Sequence, residues 1–455
     1  MLNIAGPALR YCDGVNRRGF MKIGAFAFGA TSLSLTDLYR AEALTPEPSP
    51  RGRGETTSHK AVINIFLGGG PPHQDMWDLK MDAPTEIRGE FRPIQTNVNG
   101  LQICEVFPRM ARHMDKCVVI RSITGCADRH DAIQCLTGWP HDSLRPMGGR
   151  PSIGAVLSKV QGPADPSVPP NVGLAAATQH RPWSDPGQTG FLGPAYGPFK
   201  PDGQGMDNMR LNGISVEQLG DRRRLMTSFD TLRRDIDFNG SINGLDAAQQ
   251  RALGVLTSSK LLDALDLSKE SQQVRERYGD GKPYQYQFDG APTVNEQLLT
   301  ARRLVEAGVR CVTLSFGRWD SHGQNFALVR DHGGKLDQCL SALVEDLDVR
   351  GMLNDVTILV WGEFGRTPRI NNGAGRDHWA PVSCCLMVGG GMKTGQVIGA
   401  TDRLGGYAAQ RPVYQGEVIA TVYRNLGINP DTVNIMDPTG RPQHLADRPA
   451  LREVV

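Results

Sequence analysis

The chain has 455 residues, of which 50 are basic and 48 acidic, for a formal net charge of +2. So even a balance gives no case for nucleic acid or an anionic membrane surface as partner. The length exceeds a typical single domain, although large α/β enzymes reach it through insertions.

Asn16-Arg17-Arg18-Gly19-Phe20-Met21-Lys22 leads into an apolar run from Ile23 to Leu35, and Ala41-Glu42-Ala43 offers small residues to a signal peptidase. Paired arginines, a short apolar stretch and an A-x-A site, in that order, predict a twin-arginine signal peptide over residues 1–43. Its partner would be the twin-arginine export machinery, and its destination the periplasm or the extracellular space. The competing reading is an N-terminal amphipathic helix with an accidental Arg pair. Rich in Gly, Ala, Ser and Thr, the run is too short and too mild to span a bilayer permanently. Cleavage after Ala43 would remove five basic and three acidic residues, leaving a neutral chain. No second long apolar segment follows, so no integral membrane segment is expected in the mature protein. Cys104, Cys117, Cys126, Cys135, Cys311, Cys339, Cys384 and Cys385 remain, none in a C-x-x-C pair. An oxidising destination permits disulfides, but most of these thiols read as small buried residues.

Residues 44–58, rich in Pro, Gly and Arg, read as a flexible leader to one α/β domain over 59–455. Ala61 to Leu67 is an apolar run stopped by Gly68-Gly69-Gly70, which predicts a buried strand of a parallel sheet. Cys117 to Arg121 is a second strand, followed by a helix from about Asp131 to Leu136. Pro and Gly crowd the stretch from about 148 to 201, which reads as long surface loops. From about 202 to 285 the chain turns charged and helical in period, with Leu225, Phe229, Leu232, Leu261, Leu262 and Leu265 as apolar positions, and reads as an inserted helical region. A helix over 299–307 feeds the strand 309–316, a helix over 335–349 feeds the strand Val356 to Trp361, and Cys384 to Val388 is one more strand. Alternating strands and helices predict a mostly parallel central sheet flanked by helices.

Such sheets bind ligands beyond the carboxyl ends of their strands. Three strands here carry acids and imidazoles just past that end: His73 to Asp78 after the first, Asp320-Ser321-His322 after the strand ending at Phe316, and Glu363 to Thr367 with Asp377-His378 after Trp361. Any one group has an ordinary explanation, since Asp and Asn favour turns and Glu363 with Arg366 could be a structural ion pair. Carboxylates gathered in one crevice repel unless a cation sits between them. Oxygen ligands with one or two imidazoles suit a divalent metal, Zn, Mg, Mn or Ca, which can polarise a phosphoryl or sulfuryl oxygen.

Gly69-Gly70-Pro71, Asp75, Trp319-Asp320-Ser321-His322-Gly323, Glu363-Phe364-Gly365-Arg366-Thr367-Pro368, Asp377-His378 and Asp437 to Pro442 resemble the exported family known as domain of unknown function 1501. That family is similar to a branch of the alkaline phosphatase and sulfatase superfamily. The resemblance implies an alkaline-phosphatase-like fold and metal ligands at Asp75, Asp320, His322, Glu363 and His378, with Glu363 replacing the Asp of a Ser-Asp-His-Gly motif whose His is lost. It also implies a nucleophile at the start of the helix that ends in Leu136-Thr137-Gly138. Ala127-Asp128-Arg129-His130-Asp131 stands there instead, with Ser122, Thr124 and Cys126 nearby. Thr124 is a candidate nucleophile, His130 a candidate nucleophile, base or ligand, and Arg366 a candidate clamp for the anionic group. An Asp128 cap with a packed His130 is the structural alternative.

The functional expectation is an exported metal-dependent hydrolase of phosphate or sulfate esters, acting on an anionic small molecule or glycan. The alternative is a non-catalytic binding protein on the same fold, holding an anionic glycan or a surface partner. A redox enzyme ranks third, because Gly389-Gly390-Gly391 lacks the dinucleotide spacing.

Overall fold

The computed structural model describes residues 59–176, 178, 183, 185, 187–201, 259–280, 282, 284 and 290–455. The expected signal peptide, the leader up to residue 58 and the part of the expected helical insert over 202–258 lie outside the described residues.

Eight strands form the central sheet: β1 (Ala61–Phe66), β2 (Cys117–Thr124), β3 (Asn171–Gly173), β4 (Cys311–Ser315), β5 (Val356–Trp361), β6 (Ser383–Gly389), β7 (Gln396–Ile398) and β8 (Val413–Tyr414). Their order is β7-β2-β6-β5-β1-β4-β3, with β8 also paired to β2. Val62 to Phe66 pair in parallel with Cys311 to Ser315, and Ala61 to Phe66 with Val356 to Trp361. Every residue of β1 is buried, as a continuous apolar run requires when helices cover both faces. Among the described residues the sheet is parallel except at β6, which runs antiparallel to both β5 and β2.

The direction of β6 has a local cause. No helix forms among residues 362–382; the chain folds into an antiparallel ribbon of Gly365–Arg366 with His378–Trp379. A parallel return would need a crossover of a dozen or more residues along the sheet. The ribbon turns the chain back instead, so β6 starts at the edge where β5 ends.

Helices cover both faces. On one lie α3 (Ser259–Leu265), α4 (Gln272–Tyr278), α5 (Glu296–Ala307) and α6 (Gly334–Val349), packed on Ala61, Ile63 and Ile65. On the other lie α1 (Ile133–Thr137), α2 (Ile153–Val160) and α7 (Gln415–Asn425), packed on Val62 and Phe66. The alternation of β1 thus divides its side chains between two cores. Buried Arg302 on α5 ties this helical layer together by pairing with Glu270 at 2.6 Å, Glu306 at 2.6 Å and Asp346 at 3.2 Å. Seven of the eight cysteines named above are buried, and all eight are free thiols.

Candidate metal centre

The loops leaving β1, β2, β4 and β5 meet at one edge of the sheet. A close backbone approach joins them. Gly69 has φ +104°, and a Cβ there would lie 2.9 Å from the Cβ of Asp320. Only glycine lets the loop after β1 lie against the loop after β4. The Gly69 amide then donates to Glu363 Oε1 at 2.8 Å, which draws in the loop after β5. Below the Asp320 loop, a π-helical segment (Val329–Gly333) carries His332, whose Nε2 accepts from the Arg318 amide at 3.2 Å. π-Helical turns often mark functional positions.

Three histidines converge on Asp320 in the same way. His130 has Nδ1 2.9 Å from Glu363 Oε1 and Nε2 3.8 Å from Asp320 Oδ2. His322 has Nδ1 2.7 Å from Asp377 Oδ1 and Nε2 3.1 Å from Asp320 Oδ1. His378 has Nδ1 3.2 Å from Asp128 Oδ1 and Nε2 3.2 Å from Asp320 Oδ1. The Nε2 atoms of His322 and His378 are 3.1 Å apart. Each ring therefore has an outer carboxylate on one nitrogen and turns the other towards a shared inner carboxylate.

This arrangement fits a cation. A proton on each Nδ1 satisfies the three outer carboxylates and leaves three Nε2 lone pairs facing an anion. Those lone pairs repel Asp320 and one another unless a positive charge lies among them. An outer carboxylate on a ligating imidazole is the usual second layer of a metal site. The triangle of Asp320 Oδ1 and the two close Nε2 atoms has sides of 3.1, 3.2 and 3.1 Å. Zinc with ligands at about 2.0–2.1 Å has tetrahedral edges of about 3.3 Å. His130, Asp320 and His378 offer ligand atoms that all lie within 4.8 Å of one another, a group that can hold a metal ion.

Asp320 stays ionised for clear reasons. Burial opposes its charge, but the close His378 ring and the Arg366 guanidinium outweigh that and hold its pKa well below the usual carboxylate range. The hydrogen bond to His322 likewise lowers the pKa of Asp377. Phe364 packs under His378 and His130 at ring distances of 4.5 and 5.3 Å, and Trp183 meets His130 edge-on at 5.0 Å. Glu363 is buried, and its Oε2 makes no hydrogen bond among the described residues.

Asp320, His322 and His378, expected as ligands, do come together, and His130 joins them. The remaining candidates are placed or engaged otherwise. Asp75, expected as a ligand, is fully buried and engaged: Arg376 donates to its oxygens at 2.7 and 3.1 Å and Asn325 at 2.8 Å. Glu363, also expected as a ligand, meets His130 Nδ1 and the Gly69 amide through Oε1. Arg366, expected to clamp an anion, spends its fork on Gly69 O, Gly70 O, Arg376 O and Asp320 Oδ1. It is a buried strut that positions Asp320. Thr124 closes β2 in register with Tyr414, and its hydroxyl makes no hydrogen bond to the histidine cluster. The helix after His130 is one short turn and a half, and just before it Asp131 Oδ1 accepts from the Ile133 amide at 3.1 Å. Asp128 and Asp377 as imidazole partners were missed. Asp377 adjoins His378 in sequence yet supports His322, so adjacency pointed the wrong way.

No curated protein matches the sequence. One family does, described as protein of unknown function (DUF1501), and the match covers residues 59–455. With every described residue inside that match, the protein belongs to the DUF1501 family.

Proposed function

We propose that the protein is an exported metal-dependent hydrolase of phosphate or sulfate esters, acting on an anionic small molecule or glycan in the periplasm or outside the cell. The observation that supports this most is the threefold pattern of imidazoles, each backed by a carboxylate and turned towards Asp320. His130, His378 and Asp320 would hold the ion, with His322 at hand. Three imidazoles favour zinc over calcium or magnesium, which prefer all-oxygen sites. A bound zinc ion supplies Lewis acidity to the ester oxygen and to an attacking water. The protein's own part is to hold the rings: Glu363, Asp377 and Asp128 fix the protons on Nδ1, and Arg366 keeps Asp320 ionised and aimed. The position of the centre at the carboxyl edge of a mostly parallel sheet is in keeping with an alkaline-phosphatase-like fold. A water nucleophile would also make Thr124 unnecessary.

The test pairs the zinc-loaded protein with Asp320→Asn, which keeps the shape and removes the charge a cation needs. Both are assayed against aryl phosphate mono- and diesters and aryl sulfates. The hydrolase reading expects turnover in the parent that falls about a thousandfold or more in the variant. One observation favours the alternative of a non-catalytic binding protein: the Arg366 fork is fully engaged within the protein. A fully metallated parent with no turnover across the panel would decide for that alternative.

A further inference from the structure

Four donors face one another in the centre, and a zinc ion held by four protein ligands has no position left for a substrate. The four are not held alike. His130 is 26% exposed at its side chain and rests on Glu363, which is 3% exposed and doubly bonded through Oε1. His322 is 49% exposed, and its partner Asp377 is 53% exposed. His378 is 25% exposed and its partner Asp128 66%, so an exposed support is common to both, and what sets His322 apart is the exposure of the ring itself.

The backbone around His322 is strained. Gln324 and Ala374 are non-glycine residues in the left-handed region, with φ 55° and 54°. They belong to the two loops that carry the arm, which are zipped together by Gln324 N to Gly373 O at 3.0 Å and Asn325 N to Ala374 O at 2.9 Å. Asn371 reaches across as well, donating to the His322 carbonyl at 2.9 Å. Paired strain of this kind clusters at sites that change state.

We propose that His322 is an exchangeable arm of the centre: it swings outward with Asp377, and an anionic oxygen of a phosphate or sulfate ester takes its place beside Asp320 and His378. This rests on the metal-hydrolase reading above and adds where the substrate docks. His130, His378 and Asp320 are the permanent ligands, the count of three that leaves a catalytic zinc one open position. No bond in the substrate is made or broken in this step; one neutral nitrogen donor is exchanged for one anionic oxygen donor.

The experiment uses the full chain loaded with cobalt(II), whose visible absorption reports coordination, in the parent, His322→Ala, Asp377→Asn and His130→Ala. Metal affinity is measured by chelator competition, and inorganic phosphate and sulfate are titrated while the spectrum is followed. Thermal melting of each metal-free variant controls for folding. His322→Ala should keep cobalt within about tenfold of the parent and bind phosphate or sulfate at least about tenfold more tightly, because the competing ring is gone. Asp377→Asn should move anion affinity the same way by a smaller factor. His130→Ala should lose about a hundredfold or more in metal affinity. The proposal is overturned if His322→Ala loses metal as severely as His130→Ala, or if anion affinity does not rise in either arm variant. A parent that takes up no cobalt would overturn the metal centre itself, a different failure with a different readout.

Discussion

Replacing Asp75 with Asn separates a metal ligand from a structural strut. The carboxylate is fully buried, with Arg376, also fully buried, donating to both oxygens at 2.7 and 3.1 Å. Asn removes the charge and puts an NH2 where either Arg376 or Asn325 now donates, so two donors face each other. Removing one partner of a buried pair costs about 3–5 kcal/mol, because the survivor stays buried and unpaired. Arg376 keeps hydrogen bonds to Thr367 O, Pro368 O and Ile87 O, which places the loss near the lower end, about 3 kcal/mol. Urea denaturation of the metal-free parent and variant reads that loss, and metal analysis of the reconstituted proteins reads stoichiometry. The structure predicts lower stability with unchanged stoichiometry. Unchanged stability with a lost metal ion would refute the strut and restore Asp75 as a ligand.

Gly69→Ala should cost at least about 2 kcal/mol, since φ +104° and contact with Asp320 leave no room for a Cβ; a variant as stable as the parent in the same denaturation assay would contradict the close approach. Burial opposes the charge of Glu270, but hydrogen bonds and charge from Arg302 and Arg303 win and lower its pKa below 4.5. A carboxylate depressed in the folded state stabilises above its unfolded pKa, and that stability is lost as pH falls through the folded value. Glu270→Gln should therefore be less stable than the parent at pH 7, and the gap should narrow in denaturation midpoints taken below about pH 4; a constant gap would exclude the charge effect. Replacing Arg17 and Arg18 with Lys should leave precursor in the cytoplasm of an expressing bacterium, and unchanged export on fractionation would refute the twin-arginine signal.

Much of the scaffold is written locally. β1, β4 and β5 are mostly apolar runs, and burial of both faces of a parallel sheet demands such runs, so their positions follow from the sequence. The helix Gly334–Val349 and the strand Val356–Trp361 fall where periodicity and apolar content put them. Asp320 and His322 stood out as candidates because they stand just past the end of a strand, where a parallel sheet opens its crevice, and His378 follows further along the loop after Trp361. The direction of β6 was not legible: an apolar run reads the same in both senses, and a two-residue ribbon decided it. Nor could sequence say which carboxylate meets which partner. Asp75 finds Arg376 from 301 positions away, His130 finds Glu363 from 233, and Asp377 passes over its neighbour His378 to hold His322. Asp and Glu carry the same charge wherever they stand, so composition and spacing mark them as candidates and no more. Whether each became strut, ring support or candidate ligand was decided by how closely the loops pack, and that depends on contacts such as Gly69 against Asp320, which only the folded chain creates.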